Sequence, residues 1–137
     1  MQVYKLRKYL LIIVSLFFVS TSSFSQKNNI ETINESILKM DLSVLHNYFN
    51  QTISVRLLKS HGKYSKVHAK YLLSNFLKKY PINSLEVLKS GAFESNQNYC
   101  ILQYKTSSTN YRFYYRFTKK GDKIFIKEIQ IREVVVE

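Results

Sequence analysis

The stretch QNYCILQYKTSSTNYRFYYRFT, Gln97–Thr118, alternates with a period of two at both ends. Tyr111, Phe113, Tyr115 and Phe117 fall on one side, and Arg112, Tyr114 and Arg116 on the other. Successive side chains of a strand point to opposite faces, so this strand has one apolar face and one basic, aromatic face. Upstream, Cys100, Leu102 and Tyr104 repeat the apolar pattern. A tight turn at Ser108-Thr109 predicts a hairpin that sets Tyr104 opposite Phe113, Leu102 opposite Tyr115 and Cys100 opposite Phe117. Cross-strand packing then buries one wholly apolar face.

Further strands are predicted on both sides, near Leu85–Phe93 and Lys123–Val135. The last one has two readings. A three-residue turn with Gly121 at positive φ puts Phe125, Lys127, Ile129 and Ile131 on the inner face. A two-residue turn instead puts Ile124, Ile126, Glu128, Gln130 and Arg132 there. The first carries more apolar residues inward and is the expected register. Both leave a charge in the middle of the inner face.

Before Pro81 the period changes to that of a helix. Ala69, Leu72, Leu73, Phe76, Leu77 and Tyr80 form one stripe, while Lys66, Lys70, Ser74, Asn75, Lys78 and Lys79 take the other side. Ser65 is placed to cap this helix and Pro81 to stop it. Two shorter helices precede it. The first uses Ile30, Ile33, Ile37 and Leu38 with Asn29 as its cap; the second follows Asp41 and carries Leu42, Leu45 and Phe49. Ile53, Val55 and Leu57 alternate as a strand between the second of these and the helix capped by Ser65, ended by a turn at His61-Gly62-Lys63. Helices segregated from a mostly antiparallel sheet define an α+β domain.

The N-terminus reads as a leader. Lys5, Arg7 and Lys8 precede the apolar run Tyr9–Val19, and small polar residues follow to Ser25. That order is a secretory signal peptide over residues 1–25, cut between Ser25 and Gln26. The apolar core is too short for the ~20 residues of a spanning helix, so no transmembrane segment is expected in the mature protein. Residues 26–137 then form one domain, with its core at about 29–134, in the periplasm or outside the cell. The leader holds three of the 21 basic residues and none of the nine acids, so the mature charge is +9 rather than +12. The single cysteine, Cys100, has no disulfide partner and is expected as a small buried hydrophobe.

Four segments carry a resemblance: LHNYF at Leu45–Phe49, SHGKYSK at Ser60–Lys66, Phe76–Tyr80 before Pro81, and KKGDKIFIKEIQIRE at Lys119–Glu133. They resemble a family of small secreted bacterial proteins known as domain of unknown function 4783. That family is similar in fold to the nuclear transport factor 2-like, or cystatin-like, superfamily. The resemblance implies a cone-shaped domain with three N-terminal helices against a curved, mostly antiparallel sheet. It supplies no catalytic residues.

Candidate chemistry falls in two places. The basic, aromatic sheet face offers Arg112, Tyr114 and Arg116 for binding, and a cone fold offers an inner pocket lined by Tyr104, Tyr115 and either Lys127 or Glu128. His46, His61 and His68 have no ligand spacing, so neither a metal nor a cofactor is expected. Cations interleaved with aromatics suit nucleic acid. An exported protein rarely meets nucleic acid, which leaves an anionic envelope component or an acidic protein as the expected partner. The expected function is a non-catalytic binding module; the rival is a small cone-fold enzyme or small-molecule carrier using the inner pocket.

Overall fold

The computed structural model describes Val3, Lys5 and residues 28–94 and 97–135. The predicted leader and its cleavage point at Ser25 and Gln26 therefore lie, apart from Val3 and Lys5, outside the described residues. The described chain runs α1 (Asn29–Leu38), α2 (Leu42–His46), β1 (Phe49–Leu57), β2 (Ser60–Ser65), α3 (Lys66–Lys79), β3 (Ser84–Glu94), β4 (Gln97–Lys105), β5 (Asn110–Lys120) and β6 (Lys123–Val134). The strands form one sheet in the order β2-β1-β6-β5-β4-β3. Every neighbouring pair is antiparallel except β1 with β6.

Capping sets the helix ends. Asn28, one residue before the expected Asn29, accepts from the Ile30 amide and starts α1. Asn29 instead donates through Nδ2 to the Asp122 carbonyl at 2.9 Å, tying α1 to the β5–β6 turn. At the other end the Met40 amide donates to Ile37 O and the Asp41 amide to Ser36 O. This paired arrangement needs a left-handed residue, which Met40 supplies at φ 57°. Asp41 caps α2 as predicted. That helix lasts only five residues, and Phe49 begins β1 rather than extending the helical stripe. The Ile126 amide donates to Tyr48 O at 2.7 Å and draws the chain onto β6 there.

His61, Gly62 and Lys63 are strand residues, not a turn. The reversal comes earlier, between Leu57 and Ser60, with Leu58 at φ 55° and its amide bonded to Ile131 O. Ser65 caps α3 as expected, its hydroxyl accepting from the His68 amide. Ala69, Leu73, Phe76 and Leu77 of α3 are buried. They meet the inner sheet face, where Leu102, Tyr104, Phe113, Tyr115, Phe117, Ile129 and Ile131 are buried too.

The β4–β5 hairpin keeps the predicted faces but not the predicted register. Tyr104 pairs with Tyr111, Leu102 with Phe113 and Cys100 with Tyr115, a shift of two residues. The turn is a four-residue loop, Thr106–Thr109, closed by the Thr106 hydroxyl accepting from the Ser108 and Thr109 amides. A two-residue shift preserves facing because the strand period is two.

In β6 neither predicted register holds throughout. The β5–β6 turn spans Gly121 and Asp122, with Gly121 at φ 61°, so Ile124 and Ile126 point inward. Pairing then slips between Arg116 and Phe117: Phe117 faces Ile126, but Arg116 faces Glu128. Lys127 is the extra residue of a β-bulge, and beyond it Ile129 and Ile131 point inward. Four isoleucines enter the core. The charge expected in the middle of the inner face is absent because the bulge leaves Lys127 and Glu128 both half-exposed between buried isoleucines.

Deleting Lys127 would remove the bulge and leave Ile126, Glu128, Ile129, Gln130 and Ile131 in one unbroken alternation, with the isoleucines inward and Glu128 still opposite Arg116. Urea unfolding should therefore show a change within about 1 kcal/mol, small against a typical domain stability of about 5–15 kcal/mol; a loss of several kcal/mol would show that the bulge itself is needed. Lys127→Ala, which keeps the residue count, should stay within about 0.5 kcal/mol of wild type.

Candidate functional site

The outer sheet face follows directly from that register. Three ladder rows cross β4, β5 and β6: Tyr99–Arg116–Glu128, Ile101–Tyr114–Gln130 and Gln103–Arg112–Arg132. Arg56 of β1 lies beside Gln130, and Lys63 of β2 faces Ser54. Gly91 of β3 pairs with Tyr99, and a Cβ there would come within 3.0 Å of the Tyr99 hydroxyl. Lack of a side chain at Gly91 thus lets the Tyr99 ring lean over β3. Tyr99 stacks on Tyr114 with centroids 6.3 Å apart and planes at 26°.

A chain of side-chain bonds runs along β6. Arg116 Nε donates to Glu128 Oε2 at 3.2 Å, and Gln130 Nε2 donates to the other Glu128 oxygen. Arg132 Nη2 then donates to Gln130 Oε1 at 3.1 Å. Glu128 therefore neutralises Arg116, while among the described residues the side-chain partner of Arg132 is a neutral carbonyl oxygen. Among the described residues the ion pairs are Arg116–Glu128 and the surface pair Lys39–Glu35. Arg112 and Arg132 face each other directly in the ladder, and among the described residues neither forms an ion pair with a carboxylate. Like charges directly opposed on a sheet are destabilising. With Ile101, Tyr114 and Gln130 they line an open depression of about 240 Å³.

Arg112, Tyr114 and Arg116 thus share one face, as predicted from the alternation. Their surroundings differ, because among the described residues Arg116 has a carboxylate partner and Arg112 has none. Arg132 and Gln130 were not singled out by the sequence. Their signal was the alternation of β6 opposite Arg112, legible only once the β5–β6 register is known.

The four inner-pocket candidates separate. Tyr104 and Tyr115 are fully buried within the core. The Tyr104 hydroxyl donates to the Tyr80 carbonyl oxygen, and Phe76, Tyr104 and Tyr111 pack edge-on around it with centroids 5.5–6.0 Å apart. The Tyr115 hydroxyl donates to Asn34 Oδ1 at 2.9 Å and so anchors α1. Glu128 lies on the outer face with Arg116, and Lys127 at the bulge.

Burial pushes the Tyr115 hydroxyl far up, with the adjoining Cys100 thiol adding, and pushes Tyr104 up to about 12 with help from Tyr111. Cys100 is buried as expected, and burial raises its thiol as well. The histidines stay apart, on α2, β2 and the first turn of α3. Burial lowers His46, with Lys66 and Lys70 reinforcing the shift.

The comparisons with known proteins agree with this geometry. The family described as Domain of unknown function (DUF4783) matches residues 30–132, and the chain belongs to that family. A crystal structure of a DUF4783 family protein from Bacteroides uniformis is similar to it at 18% identity and a TM-score of 0.73, covering 80% of this chain and all, 100%, of that one. A domain of unknown function with a cystatin-like fold from Nostoc punctiforme has 13% identity and a TM-score of 0.59, covering 77% of this chain and 72% of its own. A protein named Rd1NTF2_04 with long sheet has 10% identity and a TM-score of 0.63, covering 74% and 94%. No curated protein matches the chain. The fold is α+β, with a curved, mostly antiparallel six-stranded sheet and nuclear-transport-factor-2-like and cystatin-like neighbours.

The buried tyrosines set an alkaline limit. An unfolded tyrosine ionises near pH ~10, whereas Tyr104 in the fold resists until about 12. Its raised value stabilises the fold fully below pH ~10, and that contribution is lost as pH climbs toward 12. Tyr104 should lower the urea-unfolding free energy over this window by an amount on the order of 1–3 kcal/mol, and Tyr115, raised further, adds to the fall. Tyr104→Phe should make the decline shallower by Tyr104's share, leaving that of Tyr115, while costing about 1 kcal/mol at neutral pH through its lost bond to Tyr80 O.

Proposed function

We propose that this chain is an exported, non-catalytic binding module whose outer sheet face holds an anionic component of the cell envelope. On this reading residues 1–25 direct export, and the three helices close the curved sheet into a cone. The cone serves as a rigid frame for the face rather than as a container. One observation carries the proposal. The outer face presents Arg56, Lys63, Arg112, Arg116 and Arg132, and Glu128 pairs with only one of them. Aromatic rings of Tyr99 and Tyr114 lie among these cations, adding stacking area and cation–π partners to plain charge.

The formal excess of +9 in the expected mature chain supports the same reading, because it favours encounter with anionic surfaces over long range. An acidic protein is the other partner this surface suits. An enzyme or carrier with an inner pocket draws less support, since Tyr104 and Tyr115 fill that space and their hydroxyls are already bonded.

Heparin, a soluble polyanion, tests the reading. Wild type should be retained past moderate ionic strength, and the Arg112→Ala/Arg116→Ala double variant should elute at clearly lower salt. Screening weakens exposed charge pairs, so retention must fall steadily as salt rises. Elution of both proteins at the same salt, or an unretained wild type, would refute it.

A further inference from the structure

The cations of the outer face are not equivalent, and the difference points to a discrete site. Arg116 is compensated by Glu128. Arg112 and Arg132 oppose each other across β5 and β6, line the same depression, and have no carboxylate partner among the described residues. Two like charges so placed repel, and an anion between them would turn that repulsion into attraction.

The second arginine is also oriented. Glu128 takes a donor from Gln130, which leaves the Gln130 carbonyl oxygen facing Arg132. That orientation is the one in which both contacts have matching polarity, a donor toward the carboxylate and an acceptor toward the guanidinium. Arg132 is thereby held without being neutralised. Its remaining donors keep the fork geometry that suits phosphate or carboxylate oxygens.

Between and beside the two guanidinium groups the lining turns apolar. Ile101 and Tyr114 are direct ladder partners, and Tyr114 is backed by the stacked Tyr99. The volume, about 240 Å³, is below the ~300–1,000 Å³ of sites for drug-sized ligands. It suits one charged head and about one ring.

We propose that Arg112 and Arg132, over the Ile101–Tyr114 floor, bind a phosphate monoester that carries a small apolar or aromatic body. A dianion matches two uncompensated guanidinium groups; a single carboxylate or sulfonate would leave one of them unmatched. The proposal deepens the reading of this face as an anion-binding surface and rests on it. Gln130 acts here as a positioning residue for Arg132.

Phenyl phosphate is the probe, with benzenesulfonate as the monoanionic control, titrated into the folded chain by calorimetry and by amide chemical shifts. Phenyl phosphate should bind once per chain, at least about tenfold more tightly than benzenesulfonate. Arg112→Ala and Arg132→Ala should each weaken it about tenfold or more, as expected for loss of a charged hydrogen-bonding partner. Arg132→Lys, which keeps the charge and loses the fork, should weaken it severalfold, and Lys78→Ala on α3 should change nothing. Vesicles containing phosphatidic acid separate two sources of the same chemistry. Vesicle binding that phenyl phosphate competes away supports a lipid headgroup in this site; binding of the soluble ester without vesicle binding supports a soluble ligand.

No binding of phenyl phosphate, equal binding of the sulfonate, or indifference to Arg132→Ala overturns the site. If heparin retention still depends on Arg112 and Arg116, the broader anion-binding reading stands without it. If that retention fails as well, both fall.

Discussion

One extra residue in β6 determines which side of the sheet is core and which is surface. With Lys127 bulged out, Ile124 and Ile126 are in phase with the β5 aromatics near the turn, and Ile129 and Ile131 are in phase beyond it. Without the bulge, a period of two would force one of these pairs outward and a charged residue inward. Burying an unpaired charge costs several kcal/mol, against roughly 1.5–3 kcal/mol gained per buried isoleucine. The bulge removes the conflict by leaving both charged residues half-exposed.

The consequences reach both faces. Inward, the isoleucines complete a layer with Tyr104, Phe113, Tyr115 and Phe117, against which α3 lays Leu73, Phe76 and Leu77. The two buried tyrosines then use their hydroxyls as ties, one to the end of α3 at Tyr80 and one to α1 at Asn34. Outward, the same slip puts Glu128 across from Arg116, and Arg132 across from Arg112. A basic face with one neutralised arginine and one opposed pair that has no carboxylate partner among the described residues is therefore a product of the core's register. The arrangement of this face and the packing behind it share one constraint.

The interior between helices and sheet is given to packing. In such a frame chemistry is free to sit on the exposed sheet surface, where alternate residues vary without disturbing the core. Function belongs to sites rather than to folds, and the site proposed for this chain is the arginine pair on the outer sheet face.

Much of this was legible from residue order. Alternation in Tyr111–Phe117 determined which residues face inward, since side-chain direction in a strand is a local property of the backbone. The stripe on α3, its Ser65 cap and the α+β class were local in the same sense. Registers were not local. The hairpin at Thr106–Thr109 was displaced by two residues because a threonine hydroxyl closes a longer loop than the one expected. Both readings of β6 were half right, one before Lys127 and one after it, because a bulge appears only when two strands must satisfy one core. His61-Gly62-Lys63 looked like a turn and became a strand because β1 offered it a partner edge. The pairing of Arg112 with Arg132 belongs to the same category. The sequence by itself determined the faces; only the tertiary structure decided what stands opposite what, because pairing is settled by contacts between segments far apart in the chain.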